Sequence, residues 1–180
     1  MDLSGTKTKE NLYKALVGES LARNKYTFYA MTARKAGLED IADALERMAK
    51  NEMMHAKFWF QQLNGPCGDT AENLREAARG EFSEWHGMYP NFARQAREEG
   101  LEELAVLFER VASIEKDHEY QFMKLLTQLA DHAGVPQEEP EAVLKRGYRC
   151  QFCGAFSSQL PEVCGSCQAV GAFEPCVYRG

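Results

Sequence analysis

Two stretches of this chain end in Glu-x-x-His: Glu52 with His55, and Glu115 with His118. In an α-helix, residues three apart lie about 60° apart around the axis and about 4.5 Å apart along it, so both side chains can grip one ion. Two such motifs imply two ions. The motifs belong to a repeat of 63 positions, in which Gly37-Leu38-Glu39, Ala42, Glu46-Arg47, Glu52 and His55 recur as Gly100-Leu101-Glu102, Ala105, Glu109-Arg110, Glu115 and His118. Tyr29-Ala30 and Ala33-Arg34 likewise match Phe92-Ala93 and Ala96-Arg97, but Glu19 pairs best with Glu81, an offset of 62. The third helix therefore holds one extra residue between Glu81 and Phe92. A π-bulge accommodates such an insertion, and Pro90, which has no N–H to donate, lies in the same stretch. The spacing predicts a bulge or kink near residues 84–90.

A four-helix bundle with one inward Glu from each of two helices and a Glu-x-x-His from each of the other two is the arrangement of di-iron and di-manganese carboxylate sites. The chain supplies the whole set: Glu19, Glu52 with His55, Glu81, and Glu115 with His118. Carboxylates bridge two hard cations and offset their charge, and the imidazoles favour transition metals over magnesium or calcium. Glu52 and Glu115 are expected to bridge, with Glu19, Glu81, His55 and His118 as terminal ligands. Glu84, one turn beyond Glu81, matches Leu21 or Ala22 on the first helix, so the duplication is broken there. A spare carboxylate at that point lets one ion exchange ligands as its oxidation state changes. Tyr26 follows Glu19 by seven residues, on the same face, where it serves either to hydrogen-bond a ligating carboxylate or as a plain core tyrosine.

Cys150-x-x-Cys153 and Cys164-x-x-Cys167 form a second constellation, suited to tetrahedral binding of one ion, either zinc or iron. Gly154 lets backbone amides turn toward the sulfurs of the first clip; the second clip has Gly165 inside the pair. Tyr148, Phe152, Phe156 and Phe173 are available to exclude water from the centre, which tunes its potential if the ion is iron. Cysteines separated by two residues make poor structural cross-links and good ligands, so metal binding is favoured over disulfides. Cys67 and Cys176 are expected to be free thiols.

These residues need rigid elements to position them. Between about Thr8 and Ala133, apolar residues recur at three- and four-residue intervals among strong helix formers. Breaks at Gly37, at residues 64–69, at Gly100 and at Gly134-Val135-Pro136 cut four long helices. Gly37 and Gly100 fit the left-handed residue that closes a helix, and Asp69 or Thr70 is placed to cap the third. The expected organisation is an all-α four-helix bundle over residues 1–134, a linker over 135–147, and a small β-rich, metal-bound four-cysteine domain over 148–180. That last segment is too short to fold on its own apolar core and needs a metal staple. The 180 residues carry a net charge of −6 with no basic cluster, which argues against a nucleic-acid or anionic-membrane surface. No apolar run approaches membrane-spanning length and the first residues lack an export signal, so a cytoplasmic location is expected.

Taken together, Gly18-Glu19-Ser20, Glu52-x-x-His55, Glu81-x-x-Glu84, Met88-Tyr89-Pro90, Glu115-x-x-His118 and the two cysteine clips resemble the rubrerythrin family over nearly the whole chain. The resemblance implies a ferritin-like di-iron bundle followed by a rubredoxin-like domain. It also implies reduction of hydrogen peroxide to water at two bundle irons, in protection against oxidative stress. Electrons would come through one cysteine-bound iron, a site that zinc also suits, from a reduced donor protein such as a rubredoxin or its reductase. By that similarity the di-iron ligands are Glu19, Glu52, His55, Glu81, Glu84, Glu115 and His118, with Glu84 and His55 exchanging on one iron. The competing reading is iron oxidation and storage with a structural zinc ribbon; a non-catalytic electron carrier or sensor is a third.

One feature departs from a bundle closed within a single chain. Residues 64–69 reach only about 20 Å extended, whereas the helices of each pair are near 38 Å long. The expected assembly is therefore a homodimer, domain-swapped and open to higher oligomers, in which residues 19, 52 and 55 of one chain meet 81, 84, 115 and 118 of another.

Overall fold

The structure, a computed structural model, describes residues 3–132 and 144–179. It divides into two compact units, Met1–Cys67 and Gly68–Gly180.

The first unit is a helical hairpin of α1 (Lys7–Lys35) and α2 (Glu39–Asn64). Thr6 caps α1 by accepting from the Lys9 amide at 3.2 Å. Its far end closes as the sequence predicts: Gly37 has φ +74°, and the Leu38 amide reaches back to the Ala33 carbonyl at 3.0 Å. The hairpin is held close by small residues, since Ala30 and Ala33 of α1 and Ala42 and Ala49 of α2 are its buried positions. Arg34 clamps the turn from outside, bonding Asp43 at 3.0 Å, Glu46 at 2.8 Å, and Glu39.

The second unit repeats this plan with one modification. Its first rod comprises α3 (Thr70–Ser83), a single π-helical turn (Glu84–Met88) and α4 (Tyr89–Glu98); α5 (Glu102–His132) returns alongside. Asp69 opens α3 with a reciprocal capping box, accepting from the Glu72 amide at 2.8 Å while the Glu72 carboxylate accepts from the Asp69 amide at 3.0 Å. The π turn falls within the stretch where one extra residue is required. Pro90 follows at the start of α4, where a missing N–H costs little. Downstream, the 63-residue register resumes. Gly100 has φ +76°, the Leu101 amide bonds Ala96 at 2.8 Å, and Arg97 bonds Glu109 at 2.6 and 2.9 Å and Glu102 at 3.2 Å. Ala93, Ala96 and Ala105, the repeat mates of Ala30, Ala33 and Ala42, are buried and packed against Phe108.

Within the same unit lies a three-stranded antiparallel sheet in the order β2-β1-β3, built from β1 (Leu144–Cys150), β2 (Phe156–Ser157) and β3 (Phe173–Arg179). Cys150 faces Phe173 and Tyr148 faces Ser157 in the register. The expected linker lies outside the described residues as far as 143, and its last four residues are in β1. Gly147 is required by close approach: a Cβ there would lie 2.2 Å from the Ser157 carbonyl oxygen and 2.9 Å from the Tyr178 ring. That ring stacks on Phe156 with centroids 4.2 Å apart.

Candidate metal centres

Six of the seven expected bundle ligands gather in two sets of three, one in each unit. In the first unit, α1 presents Glu19 and α2 presents Glu52 and His55, with one donor atom of each mutually within 4.8 Å. His55 Nδ1 is 2.8 Å from Glu52 Oε2 and 3.8 Å from Glu19 Oε2. In the second, α3 presents Glu81 and α5 presents Glu115 and His118, again within 4.8 Å. His118 Nδ1 is 2.6 Å from Glu115 Oε2 and 3.9 Å from Glu81 Oε1. The sets are near copies, as the repeat requires.

Their electrostatics call for a cation. A hydrogen bond with Glu52 raises the Glu19 carboxyl above its ordinary value, and the same bond, with His55, lowers Glu52. A proton shared by two carboxylates occupies the place a positive ion would take. Burial, and then the negative charge of Glu115, push Glu81 up to about 7. Hard oxygen donors beside an imidazole, crowded enough to retain a proton, fit a transition-metal ion.

Glu84 opens the π turn and is outside the tight set, though its charge adds to the upward pressure on Glu81. Tyr26 is half-buried on α1, and among the described residues no hydrogen bond joins it to Glu19, Glu52 or His55. Its repeat mate, Tyr89, feels the carboxylates directly. Burial raises its phenol, and the charges of Glu84, Glu115 and Glu81 raise it further. Adding the repeat of 63 to Tyr26 was the signal that could have picked out Tyr89.

The four cysteines form a cage. Their sulfurs lie within 4.8 Å of one another, with Cys150 Sγ 3.7 Å from Cys167 Sγ and Cys153 Sγ 3.7 Å from Cys164 Sγ. A tetrahedral ion bound at about 2.3 Å sets its sulfurs about 3.8 Å apart, so the cage fits one ion as it stands. Two matching knuckles build it. Cys150 accepts from the Gly154 amide and Cys164 from the Gln168 amide, each at 3.0 Å. Gly154 takes φ +75° to do so, and its counterpart at φ +60° is Gln168, not Gly165. Burial raises the Cys153 thiol to about 12; it acts the same way on Cys164, but amides of Cys167 and Ser166 outweigh it and bring that thiol down to about 7. Cys67 and Cys176 are free and stand outside the cage.

Paired Glu and Glu-x-x-His sets on helical hairpins, joined to a tetrathiolate module, define a carboxylate metalloprotein with a four-cysteine accessory site. The family model and curated relatives agree on one family. The family model described as Rubrerythrin matches residues 10–126 and 72–149. The chain is 38% identical to Rubrerythrin-1 of Clostridium acetobutylicum (92% of this chain, 91% of the relative) and 38% identical to a rubrerythrin of Porphyromonas gingivalis (96% and 92%). A solved structure of fully reduced nigerythrin matches at 27% identity with TM-score 0.41, covering 96% of this chain and 88% of that one. This chain belongs to the rubrerythrin family. It carries the family's carboxylate and histidine di-iron-type site and its rubredoxin-like iron site, on a ferritin-like helical fold with a small β-rich four-cysteine domain. No helix among the described residues is long and apolar enough to cross a membrane.

Proposed function

We propose that this chain is a non-haem di-iron peroxidase that reduces hydrogen peroxide to two waters, consuming two electrons and two protons, in defence against oxidative stress. The observation that carries the reading is the pairing of two like three-donor sets with a tetrathiolate cage. Glu19, Glu52, His55, Glu81, Glu115 and His118 would hold two irons, with Glu52 and Glu115 bridging and Glu84 as the exchangeable seventh ligand. Cys150, Cys153, Cys164 and Cys167 would hold the third. Two irons held there would supply both electrons for cleaving the O–O bond, and an iron held by the cysteines would relay single electrons from a reduced rubredoxin-type donor. Without metal, burial and the Glu115 charge hold the Glu81 proton to about pH 7, so an ion taken up there would displace a proton. Tyr89, the repeat mate of Tyr26, stands in the field of the carboxylates. Metal-ligating thiolates favour a reducing compartment, in keeping with a cytoplasmic location.

Each unit carries only half of the donors, and α2 ends at Asn64 with α3 starting at Thr70. Large apolar side chains also remain exposed on both units, including Leu21 (58%), Phe28 (60%) and Phe58 (51%) in the first, and Leu104 and Met123 in the second. Both features support a domain-swapped homodimer, in which a second chain covers these faces and completes the centres.

The test is metal analysis and a visible spectrum of protein purified without oxygen, followed by peroxide consumption with a reduced donor. The expected result is three irons per chain, visible bands that bleach on reduction, and turnover lost in Glu84→Ala and His55→Ala. A colourless, zinc-filled cysteine module on a bundle that takes up ferrous ion without consuming added peroxide would overturn the reading in favour of iron storage.

A further inference from the structure

The 63-residue repeat makes α2 and α5 near equivalents, yet the two present different surfaces beside their histidines. On α2, Asn51, Met54 and His55 are all exposed. Their mates on α5 are Ile114, Asp117 and His118, of which Ile114 and Asp117 are buried. What covers them is the cysteine module of the same unit. Asp117 is the one buried charged side chain among the described residues, 1% exposed, and it is paired with Arg149 of β1. A carboxylate is tolerated there only because a guanidinium enters with it. Asp117 Oδ1 and Arg149 Nε remain buried without partners, and these are the two atoms that a side-on, bidentate pair would join.

The pair sits beside a backbone contact. A Cβ on Gly154 would lie 2.8 Å from His118 Nε2 and 3.0 Å from Ile114 Cγ2. The His118 ring therefore has one nitrogen turned to Glu115 and the other edge against the first cysteine knuckle.

We propose that Asp117 and Arg149 form a latch that seats each chain's cysteine module on its own α5, against His118, and rejects the equivalent face of α2. Selection follows from charge. Arg149 buried against Met54 would have no counter-ion, and His55 alone does not provide one. Asp117 and Arg149 are positioning residues, since neither belongs to a donor set. The inference deepens the peroxidase reading by fixing which module serves which donor set, but its test consumes no peroxide and stands if the substrate is another.

The experiment uses full-length protein loaded with zinc alone, which is diamagnetic in all sites, and follows the proton contact between Gly154 Hα and His118 Hε1 by NMR. Retention of cysteine-bound zinc shows that each variant's module is folded. The contact is expected in the parent, lost in Asp117→Arg and in Arg149→Asp, and regained when both reversals are in one chain. It is expected to stay lost when chains carrying Asp117→Arg are co-assembled with chains carrying Arg149→Asp, because the latch closes within a chain. Absence of the contact in the parent, its survival in either single reversal, failure of the double reversal to restore it, or its return in the co-assembled chains would each overturn the proposal.

Discussion

Removing the charge of Glu81 should make the metal-free protein more stable, although the residue belongs to a metal-binding set. Burial and the neighbouring Glu115 carboxylate hold the Glu81 proton to about pH 7, whereas the ordinary value is 4.5. A raised carboxyl pKa means that the fold prefers the protonated form. Below pH 4.5 the group is protonated both folded and unfolded and contributes nothing; as pH rises toward 7 the unfolded chain ionises more readily, and stability falls. Above pH 7 the loss levels off at no more than about 3 kcal/mol, from about 1.4 kcal/mol per tenfold difference in proton affinity. Solvent screening lowers that ceiling, since the side chain is 23% exposed. Glu81→Gln removes this penalty while keeping the shape. In denaturant unfolding of chelator-treated protein, followed by helicity, parent and variant should agree near pH 4.5. By pH 8 the variant should be ahead by roughly 1–3 kcal/mol. A gap of that size marks a site kept strained until an ion replaces the proton. Equal stabilities at pH 8, or a gap that does not grow with pH, would refute the assignment of strain to this carboxyl.

Three further outcomes follow from the geometry. Gly147→Ala should release the cysteine-bound ion to a chelator many-fold faster, because the added methyl meets the Ser157 backbone oxygen at 2.2 Å and β1 must part from β2; an unchanged release rate would contradict the packing. Gln168→Gly should slow that release and raise the module's stability by about 1 kcal/mol, since a non-glycine residue at φ +60° bears a cost that glycine does not; a destabilised variant would show that the Gln168 side chain contributes more than its backbone costs. Inserting about twenty Gly/Ser residues after Pro66 gives a connector able to span a helix of about 39 Å, and should shift the protein from dimer toward monomer in light scattering; a mass unaffected by the insertion would argue against swapping.

Much of this architecture was legible because one pattern is written twice. The alanines that hold each hairpin together, the glycines that close the turns, the Arg34 and Arg97 clamps and the Glu-x-x-His pair of each donor set all obey the same offset, so each copy supports the reading of the other. The slip from 63 to 62 upstream was equally informative, because an inserted residue in a helix has few structural outlets and the π turn is one. What escaped was non-local. Asp117 and Arg149 are 32 positions apart, on a helix and a strand, and no periodicity links them. Gln168 escaped for a different reason: a glycine within the second clip drew the turn toward Gly165, whereas the knuckle needs its left-handed residue after the second cysteine, as at Gly154.

The departures from the repeat carry as much meaning as the repeat itself. A duplicated hairpin with like donor sets could bind two ions symmetrically, but symmetry gives no direction to electron flow and leaves an entering module two equal faces. Each break falls on the second unit. The π turn and Glu84 alter its first rod, Tyr89 stands in the field of its carboxylates, and Ile114 and Asp117 replace the exposed Asn51 and Met54. The π turn opens on Glu84, whose charge acts on Glu81 and Tyr89, and the buried pair on α5 gives the cysteine module a single seat. On this reasoning, binding resides in what the halves share and direction in what they do not. Transplanting the seat should then move the module: Asn51→Ile with Met54→Asp, combined with Ile114→Asn and Asp117→Met, should shift the NMR contact of Gly154 from His118 to His55. Persistence of the His118 contact in that four-fold variant would mean that features outside the latch choose the face.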